Sequence, residues 1–128
     1  MTFVPFESVM VGLSTSMESA MEMNMSDQEI LQTCKDRLAA RYGSRFKGLI
    51  LYGSMARGTA DSESDVDLLV SLGEPFDYFA DLDVLVDLLY DLQCESTHYL
   101  SVRPVRAQDF DTGRIQLYRN ARQEGIAV

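Results

Sequence analysis

The chain is 128 residues long, 46% apolar and 24% charged, with a formal net charge of −9. That length suits one domain with one core, and the apolar content argues against wholesale disorder. The negative balance opposes adhesion to a nucleic-acid backbone, so direct polynucleotide binding is not expected. No apolar run approaches the roughly 20 residues of a membrane span, and MTFVPFESVM lacks the basic cluster that opens a secretory leader. Cys34 and Cys94 stand far apart with no CxxC spacing, which favours free thiols over a disulfide framework or zinc site. A cytoplasmic protein is the expectation.

Residues 1–25 carry six of the seven methionines among Ser and Glu, without steady periodicity. They are expected to form a loosely held extension, and Met25 is a candidate natural start. Residues 26–128 form the expected domain. Ser26 and Glu29 have capping-box spacing, and Ile30, Leu31, Cys34 and Leu38 follow at helical intervals up to a stop at Gly43. KGLILY, residues 47–52, reads as a buried strand ending at Gly53-Ser54. A helical turn over 55–57 and a small-residue loop to Ser64 lead into a second strand over 65–71, which Gly73 and Pro75 break.

Residues 77–92 give the clearest helix. Tyr78, Phe79, Leu82, Leu85, Val86 and Leu89 share one face, while Asp77, Asp81, Asp83, Asp87 and Asp91 gather on the other. Val84 and Leu88 fall inside the acidic arc and are expected to pack at the edge of a neighbouring element; left bare, they would form a patch for a partner. Residues 97–105 read as a third strand, with Pro104 marking an edge or a strand end. Residues 114–124 read as a last helix closed by Gly125. Strands interleaved with helices predict an α/β or α+β domain with helices against a small sheet.

The informative segment is GSMARGTADSESDVDLLV, residues 53–70. Gly53, directly after a buried strand, permits a sharp turn and close backbone approach to a phosphate. Ser54 adds a hydroxyl, the next helical turn offers free N–H groups, and Arg57 offers a charge-assisted contact to phosphate. Asp65 and Asp67 stand at i and i+2, so on a strand both carboxylates point to one face. Two such charges repel unless a cation lies between them, and Mg²⁺ on a nucleotide's phosphates is the natural candidate. Taken singly, each piece is ordinary: a turn, a solvated acid, a surface arginine. The combination is not.

This segment resembles the signature of the DNA polymerase β-like nucleotidyltransferases: Gly-Ser, ten residues, then Asp-x-Asp. The Arg57-Gly58 and Ser64-Asp65 pairs and the closing RQEGIAV are similar to the minimal nucleotidyltransferases of bacteria and archaea. The resemblance implies a small mixed sheet flanked by helices, ATP with Mg²⁺, and transfer of a nucleoside monophosphate to a hydroxyl. It makes Asp65 and Asp67 metal ligands and gives Gly53 and Ser54 the triphosphate. It further implies an antitoxin that adenylylates a tyrosine of a HEPN-domain RNase toxin, in a homo- or hetero-oligomer. The acidic 77–91 helix would suit a basic, RNA-binding partner.

One part of the pattern is missing. Active members of the wider family place a third carboxylate on a later strand, and here THYLSVRPV holds no acid. Glu95 and Asp91 would need an unusual path to reach the first two, and His98 is expected to be packed rather than a general base. The alternative reading is therefore a binding module of the same fold that neutralises its partner by contact. Transfer to a small molecule ranks third, because no substrate domain is available to hold one.

Overall fold

The computed structural model describes residues 27–61 and 63–128. The expected N-terminal extension and the Ser26 cap lie outside the described residues.

Helix α1 (Asp27–Tyr42) buries Ile30, Cys34, Leu38 and Tyr42 along one stripe, at the helical intervals that the sequence predicts. It ends where Gly43 takes φ +58°, a left-handed conformation open to glycine, and a 3₁₀ turn (Gly43–Arg45) leads into β1 (Phe46–Tyr52). A four-residue helix, α2 (Ser54–Arg57), and a loop connect to β2 (Val66–Leu72). Helix α3 (Tyr78–Glu95) crosses to β3 (Leu100–Arg106). Two short helices follow, α4 (Ala107–Asp111) and α5 (Gln116–Glu124), before β4 (Ile126–Ala127).

The four strands lie in the order β3-β2-β1-β4. β1 is antiparallel to both β2 and β4, whereas β2 and β3 run parallel, with α3 as the crossover that a parallel pair requires. The sheet is thus mixed, and helices cover both of its faces. Leu49, Val66, Leu68, Val70, Leu72 and Leu100 face α1 and α3, forming the larger core with Ile30, Leu38, Leu85 and Leu89. Leu69 and Val105 face the opposite way and pack against Phe110 and Ala121 of α4 and α5. The described part of β2 is buried over almost its whole length, as expected of a central strand covered twice.

β3 is an edge strand, and two of its outward positions offer no free N–H. The Val66 N–H bonds to the Tyr99 carbonyl, so by alternation the backbone polar groups of residues 100, 102 and 104 point away from β2. The Leu100 N–H is taken by Gln93 Oε1 at 2.7 Å, and Pro104 has none. Proline therefore sits where no ladder bond is lost, which bears out the edge reading.

One expectation needs correction, and two short elements went unpredicted. Helix α3 is turned by roughly a quarter turn from the arc that polarity predicts. Asp81, Leu85, Leu89 and Leu92 face inward, while Phe79 and Val86 are exposed (74% and 56%). Val84 and Leu88 are partly buried against the core, as expected, and form no bare patch. The cause lies in Asp81, whose carboxylate accepts from the Tyr42 hydroxyl, Arg45 Nη2 and the Asp77 N–H. A carboxylate satisfied in this way can enter the interior, which a polarity count does not foresee. The expected C-terminal helix stands as α5, closed by Gly125, whereas α4 and the two-residue β4 are too short for any periodicity to announce them.

Candidate active site

The antiparallel pairing of β1 with β2 sets Tyr52 opposite Asp67. It therefore brings the end of β1, and the turn that follows it, against the carboxylate near the start of β2. Gly53 has φ +78° and ψ −157°, a region essentially confined to glycine. A Cβ at Gly53 would overlap Asp67 Oδ2 and lie 3.3 Å from its Cγ. Glycine is required twice over, for the backbone angle and for the room that Asp67 occupies.

Ser54 opens α2 immediately after that turn, with the Arg57 N–H bonded back to the Gly53 carbonyl at 3.1 Å. Gly58 ends the turn in the left-handed region. The loop to β2 is held by its own side chains: Asp61 Oδ1 accepts from the Glu63 N–H and the Ser64 hydroxyl, and Ser64 Oγ accepts from the Asp61 N–H. His98 Nδ1 lies 2.9 Å from the Ser64 carbonyl, so that nitrogen carries the proton. His98 Nε2 faces Asp27 at 3.7 Å. The histidine is packed, as expected, and it pins the loop just ahead of Asp65.

Asp65 is exposed and precedes β2 by one residue, while Asp67 is half-buried within it. The two are close enough to interact. Burial first, and then the Asp65 charge, push the Asp67 carboxyl above its ordinary range, whereas Arg103 and Arg57 oppose that push. Like charge offset only in part, held beside a phosphate-compatible turn, is the condition a hard cation with oxygen ligands relieves. The two carboxylates thus fit a divalent cation. Among the described residues no group of three or more His, Cys, Asp or Glu is placed to hold a metal ion. Asp91 is forked by the Arg37 guanidinium on α1, and Glu95 is exposed near that same arginine. Neither serves as a third carboxylate.

The structure gathers Gly53, Ser54, Arg57, Asp65 and Asp67 at one end of the sheet. Arg57 is also 3.6 Å from Glu124 of α5. Sequence reasoning missed Tyr52 and Arg103 near Asp67, and Tyr118 near Arg103. Tyr52 and Arg103 were within reach of strand alternation, since Tyr52↔Asp67 and Leu69↔Arg103 are register partners on the face opposite the larger core. No sequence signal places Tyr118 or Glu124 there.

A model of the nucleotidyltransferase domain matches residues 31–108, more than half of the chain. The chain belongs to the nucleotidyltransferase domain family. Two proteins of Methanocaldococcus jannaschii, provisionally named protein adenylyltransferases, are similar to it. One is 36% identical over 66 residues, covering 52% of this chain and 66% of that protein. The other is 48% identical over 54 residues, covering 42% and 33%. The match therefore spans just under two thirds of one relative and one third of the other. A crystal structure of a provisionally named nucleotidyltransferase from Sulfolobus solfataricus superposes over 91% of this chain and 88% of that one, with a TM-score of 0.59 at 14% identity. That likeness establishes the nucleotidyltransferase fold. Among the described residues no helix is long and apolar enough to cross a membrane.

Proposed function

We propose that this nucleotidyltransferase moves the adenylyl group of ATP onto a hydroxyl of a partner protein. One observation carries the reading: the β1–β2 pairing seats the Asp67 carboxylate directly on the Gly53 turn. A turn suited to phosphate and a carboxylate suited to a cation thereby lie side by side, which supports the reading. The names of the Methanocaldococcus jannaschii relatives favour a protein as acceptor.

In this reading Gly53 and Ser54 hold the triphosphate and Arg57 contacts a phosphate oxygen. Asp65 and Asp67 hold Mg²⁺, which when bound offsets charge on the transferred phosphoryl group. The acceptor oxygen forms a bond to the α-phosphorus, the bond to the β-phosphate oxygen breaks, and pyrophosphate leaves. The acceptor's proton passes to water, since among the described residues no third acid joins Asp65 and Asp67. His98 and the Asp61–Ser64 turns act earlier, holding Asp65 in position. The partner is a HEPN-type RNase toxin modified on tyrosine, with this chain as its cytoplasmic antitoxin in a hetero-oligomer. The exposed Asp83 and Asp87 of α3 suit a basic, RNA-binding surface.

Incubating the partner with this protein, ATP and Mg²⁺ should add one AMP-sized mass to it, and the Asp65→Asn, Asp67→Asn variant should add none. Labelling that survives the double substitution would sink the proposal. The lack of a three-acid group among the described residues favours a second reading, inhibition by contact alone. An inhibited partner of unchanged mass would establish it.

A further inference from the structure

Outside the sequence motif, Arg103 is a charge that acts on the Asp67 carboxyl. The parallel register sets Ser101 opposite Asp67 and Arg103 opposite Leu69, so Arg103 projects from the same face of the sheet as Asp67. Its charge reaches three groups there: Asp67, Tyr52 of β1 and Tyr118 of α5. It is exposed. Other arginines are already engaged: Arg37 with Asp91, Arg45 with Asp81, Arg57 with Glu124, Arg106 with Glu74. Arg103 has no hydrogen-bond or ion-pair partner among the described residues. It also borders the groove between α3 and the edge of β3, alongside Tyr78 and Ser101, so its guanidinium is open to a ligand from outside.

We infer that Arg103 is a nucleotide-binding residue: its guanidinium takes a phosphate oxygen of the ATP held at Asp65 and Asp67. The inference rests on the nucleotide-site reading and adds a residue outside the motif. The charge balance supports it. Two carboxylates compensate one divalent cation, and among the described residues no third carboxylate joins them to hold a second cation against the further negative charge of ATP. A planar guanidinium matches phosphate oxygens in geometry as well as in sign. The same positive charge beside Asp67 disfavours a second cation, so one Mn²⁺ per chain should accompany the nucleotide.

The test is calorimetric titration of a non-hydrolysable ATP analogue, with Mn²⁺ as the metal, into the wild-type protein and into Arg103→Met, Arg103→Lys and Asp67→Asn. The wild type should bind one nucleotide with one Mn²⁺. Arg103→Met should weaken the analogue at least about tenfold, equivalent to about 1.4 kcal/mol, with adenosine binding and the melting temperature unchanged. Arg103→Lys should recover part of the loss. Equal affinity in wild type and Arg103→Met, with Asp67→Asn still losing Mn²⁺, would overturn the role of Arg103 alone. Two Mn²⁺ per chain would overturn the charge argument. A wild type that binds no analogue would overturn the nucleotide site itself, and Arg103's role with it.

Discussion

Gly53 is constrained twice over. Its backbone lies in a region costing roughly 1–3 kcal/mol for other residues, and the space a side chain would need is filled by Asp67. Gly53→Ala should therefore lower stability by about 2 kcal/mol in urea titration and abolish Mn²⁺ binding by displacing the carboxylate. Asp67 shows the converse. Its pKa is raised by burial and by Asp65, so its favourable contribution is present below the ordinary carboxylate range and lost as pH rises through the elevated value. At neutral pH the ionised pair destabilises the fold. Asp67→Asn should melt higher than the wild type at pH 7, and the difference should close as the pH falls below the carboxylate range. A site built for binding at the expense of stability behaves in this way. The two thiols should differ as sharply. Cys34 is fully buried and its pKa is pushed up to about 11 by that burial, while Cys94 is exposed. An aromatic disulfide reagent should titrate one thiol in the native protein and two in denaturant.

At the scale of elements, α3 explains which readings carried over from sequence and which did not. Its existence and length were legible from periodicity, as were α1, β1, β2 and most of β3, because each has a run of apolar residues long enough to show a period. The face that α3 buries was not legible. Asp81 counts as polar in a pattern, yet it is 6% exposed and tied to Tyr42, Arg45 and the Asp77 N–H. That arrangement joins the start of α3 to the end of α1 and to the 3₁₀ turn, through partners 36 and 39 residues away along the chain. Periodicity is a local signal and has no access to such partners. Asp81→Ala should cost about 3 kcal/mol, the order found when one partner of a buried ion pair is removed. If a urea titration showed less than about 0.5 kcal/mol, solvent-screened surface pairing would be the better description.

For the whole molecule, β2 is both the centre of the core and the carrier of Asp67. Leu68 is fully buried and Leu69 supports the opposite face. Leu68→Ala should destabilise the protein by about 2–5 kcal/mol in chemical denaturation. The motif could be read from sequence because its residues lie within 15 positions of one another, from Gly53 to Asp67. Strand alternation gives the face of Arg103 but not its neighbours, which come from the parallel crossover, and Tyr118 and Glu124 arrive only through the packing of α5. The site is therefore half local and half tertiary. The pairing of β4 onto β1, through Ile126 and Ala127, belongs to the tertiary half.

The most direct measurement is the anomalous signal of Mn²⁺ in crystals grown with a non-hydrolysable ATP analogue. One peak within coordination distance of the Asp65 and Asp67 carboxylates is expected, with the triphosphate lying over the Gly53–Ser54 turn. A triphosphate bound elsewhere, or well-ordered carboxylates with no metal peak between them, would contradict the assignment of this turn and acid pair as the nucleotide–metal site.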